Sequence, residues 1–214
     1  MTAVVSHAPA RSALPWGHLP PPRPTPAQGV PAPGLEDCRA LWRRYAMLPN
    51  IEAHSLAVAK VAVYLGRRLQ DAGLDLCLKT LQASALLHDL AKTYSIGHGG
   101  NHTQLGAAWV VSETGQPLIA QGVLFHAFWP WELNLAAWPL PLIVQYADKL
   151  VRHDQVVDLG ARFADLQDRY GKNETSRANI ARMEADARAI EHILITTYKV
   201  DPYAYSADRG RLVQ

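Results

Sequence analysis

The chain has 214 residues, of which 49% are hydrophobic and 19% charged, and a net charge of +2. This balance fits one globular domain with a tail, and so small a charge gives no electrostatic argument for a nucleic-acid or membrane-surface partner. Two cysteines, Cys38 and Cys77, without CxxC spacing, speak against a disulfide framework and a thiolate metal site and fit a reducing compartment.

The N-terminal 34 residues contain "HLPPPRPTPAQGVPAPG". Proline lacks a backbone donor, and the stretch has too few bulky apolar side chains to offset its ordering entropy. Residues 1–34 are therefore expected to be a disordered or polyproline-like tail. The N-terminus has no apolar h-region with a cleavage site. The longest apolar run, "LNLAAWPLPLIV", falls short of the roughly 20 residues needed to span a bilayer. A cytoplasmic protein is expected by default.

From Leu35 onward the hydrophobic period is helical, and residues 35–214 are read as one helical domain. "LEDCRALWRRYAM" predicts a first helix, broken at Pro49-Asn50, with Asn50 as N-cap of the next. That second helix closes at Gly73 and carries an apolar stripe of His54, Val58, Val61, Leu65 and Leu69, so His54 faces the core. A third helix is predicted from about Leu76 to Lys92, with Leu78, Leu81, Ala85 and His88 on its inner face. Gly97, Gly99 and Gly100 predict a loop, and a short helix starts near Asn101. "QPLIAQGVLFHAFW" places Ile119, Gly122 and His126 on one side of another helix. "PLIVQYADKLVRH" places Asp148 one turn after Val144. "ETSRANIARMEADARAIEHILITTY" is a long amphipathic helix. The fold class is all-α, a bundle of roughly eight helices with short connections.

Polar groups on the inner faces of such helices need an explanation. A single core histidine is ordinarily hydrogen-bonded to a carbonyl, and a bare His-Asp dipeptide says little. However, His54, His88, Asp89 and Asp148 lie on or beside the buried stripes of separate helices. Burying them independently would cost a few kcal/mol each unless they were paired. One divalent metal would satisfy them together, and imidazole with carboxylate suits Mn, Fe, Co, Ni, Zn or Mg.

Taken in order, His54 in "AHSLAVAKVA", the His88-Asp89 doublet in "LLHDLAK" and Asp148 in "YADKLV" resemble the HD-domain superfamily of metal-dependent phosphohydrolases. The resemblance spans about residues 40–155, leaving 156–214 as a C-terminal helical extension. It implies an α-helical fold and hydrolysis of phosphate esters, often of nucleotides, with His54, His88, Asp89 and Asp148 as metal ligands. His102 in "NHTQLGA" and His126 in "VLFHAF" stand where binuclear members of the family add a second metal, which Asp89 would bridge. Alternatively, these two histidines hold a substrate phosphate or an outer-sphere water.

In this reading Asp89 and Lys92 carry the chemistry around metal-activated water. Lys92, one turn beyond His88, is a phosphate-contacting cation, a partner for a ligand carboxylate, or simply a solvated lysine at a helix end. Lys149 and Arg152 flank Asp148 as further candidates for phosphate contact. "GHGGNH" lacks the Lys-Ser/Thr ending of a phosphate loop. His98 is expected in a flexible loop, and His153 and His192 on helix surfaces. His7 and His18 lie in the tail and have no assigned role. Phe128, Trp129, Trp131 and Trp138 are read as capping the core, with nucleobase stacking the alternative. The expected partner is a small phosphorylated substrate, nucleotide-like, with one or two divalent ions as cofactor. A di-iron oxygenase of the same superfamily and a non-catalytic regulatory helical module are the competing functions.

Overall fold

The computed structural model describes residues 21, 23–25, 29–205 and 210–213. Most of the expected disordered tail lies outside these residues. Of the part that is described, the Arg23 guanidinium sits 4.3 Å from the ring centre of Trp138, and the Val30 carbonyl accepts from Gln116 Nε2.

The described residues form nine α-helices and a two-stranded hairpin. The helices are α1 (Leu35–Arg44), α2 (Pro49–Asp71), α3 (Leu78–Leu87), α4 (Lys92–His98), α5 (His102–Thr114), α6 (Pro117–Phe125), α7 (Pro139–Lys149), α8 (Leu159–Tyr170) and α9 (Glu174–Thr196). Between α7 and α8, strands β1 (Val151–Arg152) and β2 (Gln155–Val156) pair antiparallel. None of these helices is long and apolar enough to cross a membrane.

The core is built around α2, whose Val58, Val61, Leu65 and Leu69 are fully buried, as the stripe predicts. α2 packs on α3 and α7; α6 lies against α3 and α7, and α5 against α6. At Gly122 of α6 the approach leaves no room for a side chain. A methyl there would lie 2.1 Å from Ser84 Oγ of α3 and 2.8 Å from Leu140 of α7. The Ser84 hydroxyl donates to the Ile119 carbonyl at 2.9 Å, tying α3 to α6. Trp129 and Trp138 are buried with Phe125 and Trp131 against them, so this aromatic group caps the core.

Several sequence expectations are corrected, three of them at helix ends. Asn50 does not cap α2: the N-cap is Leu48 in extended conformation, with Pro49 in the first turn, where its missing N–H costs nothing. The Leu48 N–H donates instead to Thr93 Oγ1. The helix expected from Leu76 to Lys92 is two helices, because residues 88–91 tighten into turns in which Leu90 N–H reaches the Leu87 carbonyl and Lys92 N–H the Asp89 carbonyl. The carbonyls freed at the end of α3 are taken by side chains. Trp42 Nε1 donates to Leu86 O at 3.0 Å, and His88 Nδ1 pairs with Ala85 O at 2.7 Å. Third, the segment expected to continue α7 past Lys149 turns into the hairpin. His153 therefore sits at its tip with φ 58° rather than on a helix.

Gly97 lies inside α4, and Gly99 and Gly100, both with positive φ, make the turn into α5. Asn101 caps α5 by accepting from Thr103 and Gln104. His98 closes α4 with its ring 4.5 Å from that of Tyr94, instead of lying in a flexible loop. His192 is on the exposed face of α9, as expected.

Candidate metal centre

Helices α3, α6 and α7 bring their C-terminal ends to one place. His88 is the C-cap of α3, His126 the C-cap of α6, and Asp148 is next to last in α7. Helix C-termini carry partial negative charge, so their convergence favours a cation. His54 comes from the second turn of α2 and His102 opens α5.

His88 and His126 are held alike. Each folds its Nδ1 back to the carbonyl three residues earlier, Ala85 and Val123 respectively, at 2.7 Å. His54 Nδ1 meets the His153 carbonyl, also at 2.7 Å. A carbonyl can only accept, so all three rings carry a proton on Nδ1 and, when neutral, a lone pair on Nε2. Carbonyl support of this kind fixes the tautomer of a metal-binding imidazole.

The Nε2 atoms converge on carboxylates. His54 Nε2 is 2.9 Å from Asp148 Oδ1. His88 Nε2 is 3.4 Å from Asp89 Oδ2 and 3.9 Å from Asp148 Oδ1. On its other side, Asp89 Oδ1 lies 3.4 Å from His102 Nε2 and 3.5 Å from His126 Nε2. The result is two groups able to hold an ion, His54–His88–Asp89 and Asp89–His102–His126, with Asp89 in both. His88 Nε2 and Asp89 Oδ1 are buried without a hydrogen-bond partner. Buried polar atoms are rarely left so, and an ion in the first group would satisfy His88 Nε2 and one in the second would satisfy Asp89 Oδ1.

Burial would lower His88, but Asp89 and Asp148 outweigh it and raise it, supplying the negative charge that a cation would balance in place of the ring proton. Burial pushes His126 down, and pushes His102 down to about 4, helped by its neighbour His126, so both imidazoles are neutral at physiological pH. Burial alone would raise Asp89, but His88 and Lys92 outweigh it and hold the carboxyl well below its ordinary range. Lys149 and His54 do the same for Asp148. The His102 and His126 Nε2 atoms are 3.2 Å apart. Two lone pairs cannot face each other there, so either His102 places its proton on Nε2 or a cation lies between the rings.

The candidates from the sequence fall as follows. His54, His88, Asp89, His102, His126 and Asp148 come together. Lys92 donates to Asp89 Oδ2 at 2.7 Å and Lys149 to Asp148 Oδ2, so both cations brace the carboxylates. Arg152 is exposed on β1 and does not stand with His153 among the residues lining the cleft. In its place Arg162 and Arg169 of α8 line the cleft. Sequence reasoning missed both, since nothing local tells which face of α8 meets the centre. The cleft has a volume of about 460 Å³.

A family model described as HD domain matches residues 51–173. No curated protein and no solved structure matches the chain.

Proposed function

Because the chain belongs to the HD-domain superfamily of metal-dependent phosphohydrolases, we propose that it hydrolyses a phosphomonoester or phosphodiester bond of a small phosphorylated molecule, a nucleotide. His54, His88, Asp89 and Asp148 would hold one divalent cation, and Asp89, His102 and His126 a second. The observation that carries this reading is the pair of buried, unpartnered atoms, His88 Nε2 and Asp89 Oδ1, at the junction of the two groups. A divalent ion at such a centre supplies a water acidic enough to attack at neutral pH and stabilises charge on the phosphoryl oxygens.

The chain's own residues do the rest. Lys92 fixes the rotation of the Asp89 carboxylate, and the His153 carbonyl fixes the His54 ring with its Nε2 toward Asp148, where a cation would lie between the two. The cleft is within the size range of small-molecule sites. Ile96, Leu166, Tyr170 and Met183 give it apolar wall of the kind a nucleobase packs on, which supports a nucleotide. The free thiols Cys38 and Cys77 suit a reducing compartment such as the cytoplasm.

The test is elemental analysis of untagged protein purified without air, followed by phosphate release from a nucleotide panel. One or two equivalents of metal with phosphate release support the reading. No metal after reconstitution with Mn, Fe, Co, Ni, Zn and Mg would defeat it and leave a helical binding module. The sharing of Asp89 by two groups also suits a di-iron oxygenase; two irons, oxygen uptake and no phosphate release would select that function.

A further inference from the structure

Beyond the candidate metal ligands, the cleft contains a pair of arginines on α8 whose environment is unusual. Arg162 is about nine-tenths buried, yet its Nε has no hydrogen-bond partner. Its Nη2 stands 3.9 Å from Asp148 Oδ1, beside the metal centre, and its Nη1 is 3.4 Å from Asp165 Oδ2. Arg169, two turns later on the same helix face, reaches back to the same Asp165 oxygen at 3.5 Å. Two guanidiniums thus meet on one carboxylate and leave a surplus positive charge facing the cleft. Lys92 and Lys149, by contrast, are each engaged by a carboxylate of the metal centre. The two arginines also differ in depth, since the Arg169 side chain is 43% exposed while that of Arg162 is 10% exposed. The outer guanidinium lies 5.1 Å from the ring centre of Tyr170, at the rim.

Resting on the phosphohydrolase reading above, we propose that Arg162 and Arg169 form a stepped anion-binding wall for a substrate with two linked phosphoryl groups. Arg162 meets the phosphoryl group next to the metal centre, and Arg169 meets the next group outward. A guanidinium presents a planar fork of donors that matches phosphate, which a point-charge lysine does not. Arg162 lines the cleft with its Nη2 beside the metal centre, which places that end of the fork for the inner phosphoryl oxygens. The pair makes α8 part of the substrate site and favours diphosphates over monophosphates.

Calorimetric titration of metal-loaded protein with inorganic phosphate and with imidodiphosphate, whose P–N–P bridge resists hydrolysis, tests this. Metal content is measured before and after each titration. Imidodiphosphate should bind more tightly than phosphate. Arg169→Gln should weaken imidodiphosphate by about tenfold or more, as expected for a lost charge-assisted bond, and leave phosphate within about twofold. Arg162→Gln should weaken both, and Arg162→Lys should restore less than half of the loss. Circular dichroism checks that the Arg162 variants fold, and Arg169 is exposed enough to be changed safely. If metal loads but neither anion binds, or if Arg169→Gln leaves the ratio of the two affinities unchanged, the wall is refuted while the metal centre stands. If metal does not load, the phosphohydrolase reading has failed and the proposal falls with it.

Discussion

Replacing Asp89 with Asn is the most informative single change. Asp89 is buried and belongs to both ion-holding groups, whereas His102 belongs to one. The carboxamide has the same shape, and its oxygen can still accept from Lys92, so the metal-free fold should survive. What is lost is one negative charge and one ligand oxygen shared by two ions. With free metal a thousandfold above its Kd, one ion stabilises the native state by about 4 kcal/mol. For a domain of this size that is about 8–16 °C in Tm, at about 2–4 °C per kcal/mol. The assay is thermal unfolding with saturating Mn and again with chelator, alongside elemental analysis. Wild type should show the full metal-dependent shift. Asp89→Asn should lose most of it and bind less than half the wild-type metal, with a chelated Tm within a few degrees of wild type. His102→Gln should lose only the part due to the second ion. An Asp89→Asn protein that keeps the whole shift and the full metal content would refute the shared-ligand geometry.

Three other predictions follow from packing and burial. Gly122→Ala pushes a methyl against Ser84 and Leu140, one turn before His126; overpacking of this kind should cost about 1–3 kcal/mol and lower Tm by several degrees, and an unchanged Tm would contradict the close approach of α6 to α3. Trp42→Phe removes the donor to the buried Leu86 carbonyl, so denaturant unfolding should report a loss of about 1–3 kcal/mol. For the thiols, burial pushes Cys38 up to about 12, whereas Cys77 is exposed and, although its partial burial raises it, hydrogen bonds from Thr80 and Lys79 lower it overall. One thiol should therefore react with Ellman's reagent in the native protein, at a rate that rises with pH and levels off below the ordinary cysteine value of 9.0. Two fast thiols would contradict the burial of Cys38.

The fold class was legible because apolar stripes of helical period run through α2, α6 and α7 and place His54, His126 and Asp148 inward without any tertiary information. The position of His88 was right but its setting was not. Periodicity carries the α3 pattern past Leu87, and nothing in the residue string says that an imidazole and an indole take over the last carbonyls. Arg152 looked well placed because it follows Asp148 closely, but it falls on a hairpin of two-residue strands, where helical spacing no longer applies. Arg162 and Arg169 were missed for the opposite reason. Their spacing marks one face of α8, and only the docking of that helix says what the face meets.

The convergence of helix ends at the centre also orders the molecule's assembly during synthesis. Asp89, His102 and His126 lie close in sequence and are all present once α6 has emerged, so the second ion group can form early. The first group, His54, His88 and Asp89, emerges earlier still, but Asp148 and the His153 carbonyl that orients His54 lie more than ninety residues after His54. Its complete ligand set exists only when α2 and α7 have docked and the hairpin has closed. A nascent or truncated chain that ends before α7 would therefore hold both groups of possible ligands yet lack Asp148 and the carbonyl that orients His54.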